Sequence, residues 1–239
     1  MTDLVQEWRD ALALVARSEK VAILSRFFKT APGEYGEGDV FIGVNVPDNR
    51  AVAMQFSDAP LAVVEQMLQS EIHEHRLSGF LCLVKKYRRQ PDVITDFYFE
   101  HAECANNWDL VDLSAPKIVG EELRHGRCKD TIRMYAKSQC LWLRRIAIVS
   151  TLQPVTKDAC FDDALPIAKV LLRDNESLIQ KAVGWILREI GKKDIDTLRE
   201  FLHEHIRELS ATTLSYATEK MDQSERKHWR EIRNQKLRH

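Results

Sequence analysis

The chain has 239 residues, of which 44% are hydrophobic and 30% charged, so it can bury a real core and is not an intrinsically disordered polymer. A formal net charge of −1 excludes a uniformly polycationic protein, yet the charge is unevenly spread: residues 1–116 carry −7, whereas 117–150 carry +5. A local basic surface, rather than the total, attracts phosphates, although a solvated helix face also presents such a run.

The amino-terminal stretch MTDLVQEWRD has acids where a secretory signal needs a basic start and an apolar run. No later stretch approaches the roughly 18 uninterrupted apolar residues of a membrane span, so a cytoplasmic protein with no membrane partner is expected. Five cysteines, at 82, 104, 128, 140 and 160, are odd in number and form no CxxC pair. They predict small buried thiols rather than a zinc knuckle or a disulfide framework.

Residues 33–50, GEYGEGDVFIGVNVPDNR, are punctuated by Gly36, Gly38, Gly43 and Pro47 and read as a structured loop, with a short strand through Val40–Val46 as an alternative. The glycine spacing fits neither a dinucleotide fingerprint nor a P-loop. The segment SDAPLAVVEQMLQSEIHEHRLSGFLCLVKKY then carries a helical period, as do SQCLWLRRIAIVSTL and DDALPIAKVLL further on. HEH occurs at 73–75 and again at 203–205; on a helix, residues two apart point roughly 200° away from each other, so neither pair can chelate one metal. Both are expected to be solvated helix faces, and neither metal nor cofactor is expected.

In DNESLIQKAVGWILREIGKKD, Asp174 is the expected N-cap, Leu178, Ile179, Ala182, Val183, Ile186 and Ile190 form the buried arc, and Gly191 is expected to end the helix. Asp194 starts the next helix, with Leu198, Phe201, Leu202, Ile206 and Leu209 apolar, and Ser210 caps another. Such helices recur as pairs about every 35 to 45 residues, the size of a helical hairpin repeat. The expected fold is therefore all-α, a helical-repeat solenoid forming one domain over residues 1–239, with a concave face.

Three places break the pattern. In NNWDLVDLSAP, Trp108 and Asp112 are four apart, so a helix there puts an indole and a carboxylate on one face, a combination that packing alone rarely favours. On the helix near 180, Lys181, Trp185 and Arg188 fall opposite the apolar arc, which reads either as a Trp packed at a neighbouring helix or as a ring flanked by two phosphate-binding cations. Arg144 and Arg145 are adjacent, so at most one of them is expected to face a given ligand.

The motifs NNWDLVD, WLRRIAIVS and QKAVGWILRE, in that order and spacing, resemble the AlkD-type DNA alkylation repair family of HEAT-like repeat proteins. The similarity covers essentially the whole chain. It implies an α-α superhelix with a concave basic face and a monofunctional glycosylase that releases N3- and N7-alkylpurines from double-stranded DNA. It further implies that Trp108, Asp112 and Trp185 are catalytic, that Arg145 and Arg188 bind phosphates, with Lys181 and Arg144 nearby, and that the base stays stacked or merely exposed. No cavity for a base is evident from the sequence. Phe27 stands where the better-known glycosylases of the family have tyrosine, and Asn45 where they have glutamine. A monomer is expected. The alternative is a noncatalytic helical-repeat module binding DNA structure or a protein partner; Asp112 favours the enzyme, because phosphate binding gains nothing from a carboxylate.

Overall fold

The computed structural model describes residues 3–236, and among these there is no strand; two compact units divide between Ser114 and Ala115. The first contains α1 (Leu4–Leu14), α2 (Ser18–Phe27), α3 (Val46–Gln55), α4 (Leu61–Leu68), α5 (His73–Tyr87), α6 (Pro91–Glu100) and α7 (Trp108–Ser114). The second contains α8 (Val119–Arg124), α9 (Lys129–Tyr135), α10 (Leu141–Ser150), α11 (Leu152–Asp158) and α12 (Ala164–Leu171). It continues with α13 (Ser177–Lys193), α14 (Ile195–His205), α15 (Ala211–Ala217) and α16 (Gln223–Lys236). None of these is long and apolar enough to cross a membrane.

The first unit is organised around α5, which packs on α3, α4, α6 and α7 and is buried continuously from His73 to Leu83. This corrects the expectation that HEH at 73–75 faces water. Every member of the polar run has a partner from elsewhere in the chain, which is the condition for burying such groups. The Glu74 carboxylate accepts the backbone N–H groups of Ile42, Gly43 and Val44 at 2.8–3.1 Å, His75 Nδ1 contacts Ser70 Oγ at 2.9 Å, and Arg76 donates to Asp39, to Asn106 and to the Ser70 carbonyl. Glu74 therefore gathers the 42–44 loop onto α5. Gly43 permits the loop's shape: its φ is +92°, and a Cβ there would come within 2.0 Å of the Arg17 carbonyl oxygen. The possible strand at 40–46 is reduced to one parallel bridge between Val40 and Ile72, because Asn45 caps α3 by accepting the Asp48 N–H.

In the second unit α13 is the central helix, packing on α10, α11, α12, α14 and α15. Its buried arc includes all six apolar residues expected from the sequence. The caps at Asp194 and Ser210 form as the sequence suggests, each side chain accepting N–H groups of the following turn. Two boundaries differ. Asp174 is not the cap: its carboxylate takes both Arg144 Nε at 2.6 Å and the Glu176 N–H at 2.9 Å, and α13 starts at Ser177 with Glu176 as its N-cap residue. Gly191 lies inside α13 rather than ending it, since the space of its missing Cβ is occupied by Leu198 of α14. Of the second HEH, His203 is exposed as expected but His205 is buried beside Glu208. Among the cysteines Cys82 is buried, whereas Cys160 is exposed, against expectation.

Candidate active site

Trp108 opens α7, and Asp112 stands one turn further along the same face. The start of the helix is fixed by its neighbours: Asn107 Oδ1 accepts the Trp108 N–H at 2.9 Å, and the Asp109 carboxylate meets His73 Nε2 at 2.9 Å. The other imidazole nitrogen, Nδ1, lies 2.8 Å from Asp39. With a carboxylate at each ring nitrogen, both nitrogens donate and the ring is an imidazolium. Burial by itself lowers the His73 pKa, but Asp109 and Asp39 outweigh it and raise it to about 9. For Asp39, burial is likewise overcome by His73 and Arg76, which hold its carboxyl below the usual range.

An aromatic stack joins this buried network to Trp108. Phe28 lies between the His73 ring, at 4.9 Å, and the Trp108 indole, at 5.2 Å, while Phe41 covers His73 at 4.5 Å. Phe27 meets Trp108 edge-on at 5.7 Å and is 60% exposed. Trp108 and Asp112 both border a cavity of about 450 Å³ roofed in part by Leu24 and Phe27 of α2, a helix that contains no buried residue. This cavity was not evident in the sequence. Nor were His73, Asp109, Phe28 and Phe41, whose aromatic and acidic types were the signal but whose proximity comes only from the loop folding onto α5.

The remaining expected site residues lie in the second unit. Lys181, Trp185 and Arg188 share one face of α13; Lys181 is exposed, and the other two are half-buried. Arg188 pairs with Glu219 and, at 3.4 Å, with Glu189. Arg145 is buried and donates to the Leu178 carbonyl at 2.6 Å. Arg144 binds Asp174 and the carbonyls of Ser138 and Gln139, so it braces α10 against the approach to α13 and would have to exchange a partner to reach a phosphate. Among the described residues, no group of three His, Cys, Asp or Glu side chains is placed to hold a metal ion.

Packed helices form the whole described scaffold, and an indole and a carboxylate one turn apart on α7 border an aromatic cavity, which places the chain among all-α helical-repeat proteins. The chain belongs to the DNA alkylation repair enzyme family, whose model matches residues 8–221. Among solved structures it is similar to a predicted DNA alkylation repair enzyme from Enterococcus faecalis, with 20% identity and a TM-score of 0.68 over 87% of this chain and 97% of that one. AlkD2 from Streptococcus mutans matches with 18% identity and a TM-score of 0.57, covering 85% and 98% of the two chains. The protein smu.31 of Streptococcus mutans UA159 matches with 17% identity and a TM-score of 0.57, covering 86% and 99%. At these identities the likenesses establish the fold. No curated protein matches the chain.

Proposed function

We propose that this chain is a monofunctional DNA glycosylase that hydrolyses the N-glycosidic bond of cationic N3- and N7-alkylpurines in duplex DNA. It acts as a monomer in the cytoplasm, with the whole chain serving as one functional domain. The observation that carries the reading is the pairing of Trp108 and Asp112 on one face of α7, beside the same cavity.

An alkylated purine is already positively charged and leaves without protonation, so no general acid is required. As the bond breaks, positive charge moves onto the deoxyribose. Asp112 stabilises that oxocarbenium-like sugar and orients the attacking water, while Trp108 offers its ring's negative potential to the same charge; Trp185, in the second unit, is the further ring that the resemblance implies. Each ring contact contributes about 0.5–2 kcal/mol, or up to roughly thirtyfold in rate if realised in the transition state. Lys181 holds a backbone phosphate, and Arg144, Arg145 and Arg188 join it where each exchanges its present partner. No lysine occupies a matched catalytic position, so no Schiff base forms and the strand stays intact.

A second reading, noncatalytic binding of DNA structure, is favoured by Asn45, whose side chain is committed to Asp48 at both its oxygen and its nitrogen. Chromatography of products from methylated and from uracil-containing duplexes separates the two. The glycosylase releases free alkylpurines, leaves uracil in place and makes no strand break; the binding module releases neither base.

A further inference from the structure

Beyond residue 221, where the family match ends, the chain adds one more helix. This helix, α16, carries five lysines and arginines against two glutamates, with Trp229 and Ile232 as its only apolar residues. Its inner side is fixed. Asp222 caps it by accepting the Glu225 N–H at 2.9 Å, Trp229 is buried, Glu225 accepts two N–H groups of Arg199 at 2.8 and 3.0 Å, and Arg233 Nε donates to the Leu209 carbonyl at 2.7 Å. The outer side is made differently. At roughly 100° per residue, Gln223, Arg226, Lys227, Arg230 and Asn234 fall within one arc of about 100°, and neither glutamate shares it. Arg226 is half-buried and the other four are exposed. Neither Arg226 nor Arg230 has an ion-pair partner among the described residues, and Arg226 Nε has no hydrogen-bond acceptor there; Lys227 meets Glu231 at 3.8 Å, with both side chains exposed.

The class of partner follows from what this arc offers and what it lacks. A lipid surface needs an apolar helix face and a protein interface an apolar core, and the arc has neither, since Trp229 is turned inward. A phosphodiester backbone asks for cations and polar N–H donors, which three basic side chains and two amides supply. The turn leading into α16 also adjoins the expected phosphate-binding face of α13, because Glu219 pairs with Arg188. We infer that the outer arc of α16 is a second contact for the backbone of duplex DNA, lying outside the matched family module and indifferent to both sequence and damage. The inference goes beyond the glycosylase reading and rests on it for duplex DNA as the partner, not for any step of the chemistry. Its contribution is electrostatic, so it fades as salt rises.

The test uses the full chain and an undamaged fluorescent duplex, with anisotropy measured across a salt series. Arg226→Gln, Lys227→Gln and Arg230→Gln combined leave Trp229, Glu225 and Arg233 in place, so the helical circular dichroism and the unfolding midpoint should not change. This variant is expected to bind duplex tenfold or more weakly at low salt, and to reduce the slope of log affinity against log salt by about 2–3, at roughly 0.9 per phosphate. Arg226→Lys with Arg230→Lys keeps the cations and should keep the slope. Lys157→Gln, Lys169→Gln and Arg207→Gln combined remove the same charge from other exposed positions of the second unit and should change the slope less than half as much. An unchanged slope in the α16 variant, or an equal loss in that control, overturns the contact. Binding of a poly-glutamate peptide that the α16 variant loses, with duplex binding unchanged, assigns the arc to an acidic protein and equally overturns it. Methylated duplex separates this contact from the glycosylase: a wild type that releases no alkylpurine, beside an α16 variant that loses duplex affinity, removes the enzyme and keeps the contact.

Discussion

The Nε2 of His73 and the Oδ2 of Asp109 lie 2.9 Å apart, a buried contact between α5 and α7 that fixes the first turn of the helix carrying Trp108 and Asp112. The residues that hold the candidate site in place are thus distinct from those proposed to act on substrate. Removing one partner of a buried ion pair leaves the other charge uncompensated, at a cost of about 3–5 kcal/mol. His73→Gln is therefore expected to lower stability by that order, measured by urea unfolding, whereas a loss below about 1 kcal/mol would show that the network is not structural.

The same contact sets a pH dependence. His73 has its folded pKa raised to about 9, above the unfolded value near 6.5, so its stabilisation is complete below about pH 6.5 and is lost as the pH rises through 9. His75 has the opposite shift. Burial first, and then Arg9 and Arg76, push its pKa down to about 4, so stability is lost as the pH falls from about 6.5 towards 4. The unfolding free energy should peak near the common unfolded value and fall on the alkaline side by on the order of 3 kcal/mol. His73→Gln should abolish the alkaline fall, and a wild type with no such fall contradicts the assignment.

Glu74 takes three consecutive backbone N–H groups, those of Ile42, Gly43 and Val44. Glu74→Ala leaves them without their acceptor in a buried setting, which costs about 1–3 kcal/mol for each group that water cannot reach. A destabilisation of at least about 3 kcal/mol is expected, with faster amide hydrogen exchange at residues 42–44. Unchanged exchange there would show that the loop is held by other contacts.

On α13, Lys181 is exposed, whereas Arg188 is engaged by Glu219 and Glu189. If both cations contact phosphates, Lys181→Ala should weaken duplex binding regardless of sequence and reduce the slope of log affinity against log salt by about 1. Glu219→Gln removes a competitor for Arg188 and should strengthen binding severalfold. Fluorescence anisotropy across a salt series measures both; an unaltered slope in Lys181→Ala removes that residue from the interface.

Much of the second unit was legible because its signals are local. The buried arc of α13 repeats every three to four residues, and the caps at Asp194 and Ser210 act on the adjoining turn. Arg144 already shows the limit: its partner, Asp174, lies 30 positions away. In the first unit the limit is severe. The HEH at 73–75 read as a wet helix face because the partners of His73 and Glu74, namely Asp39, Asp109 and the 42–44 amides, stand at least 30 positions off in sequence. Trp108 and Asp112 were legible as a shared face, since their spacing is helical. The cavity they border was not, because its walls come from α2, the 41–47 segment, α5 and α7 together.

The central claim is tested most directly by the release of free N7-methylguanine and N3-methyladenine from methylated duplex DNA by wild type and by Asp112→Asn, with folding checked by circular dichroism. The expected result is release well above the spontaneous rate by the wild type and a loss of about 10²–10³-fold in a variant with an unchanged helical spectrum, the size of effect seen when one preorganised electrostatic group is removed. A folded wild type that releases nothing above the spontaneous rate, or a variant as fast as the wild type, would contradict it.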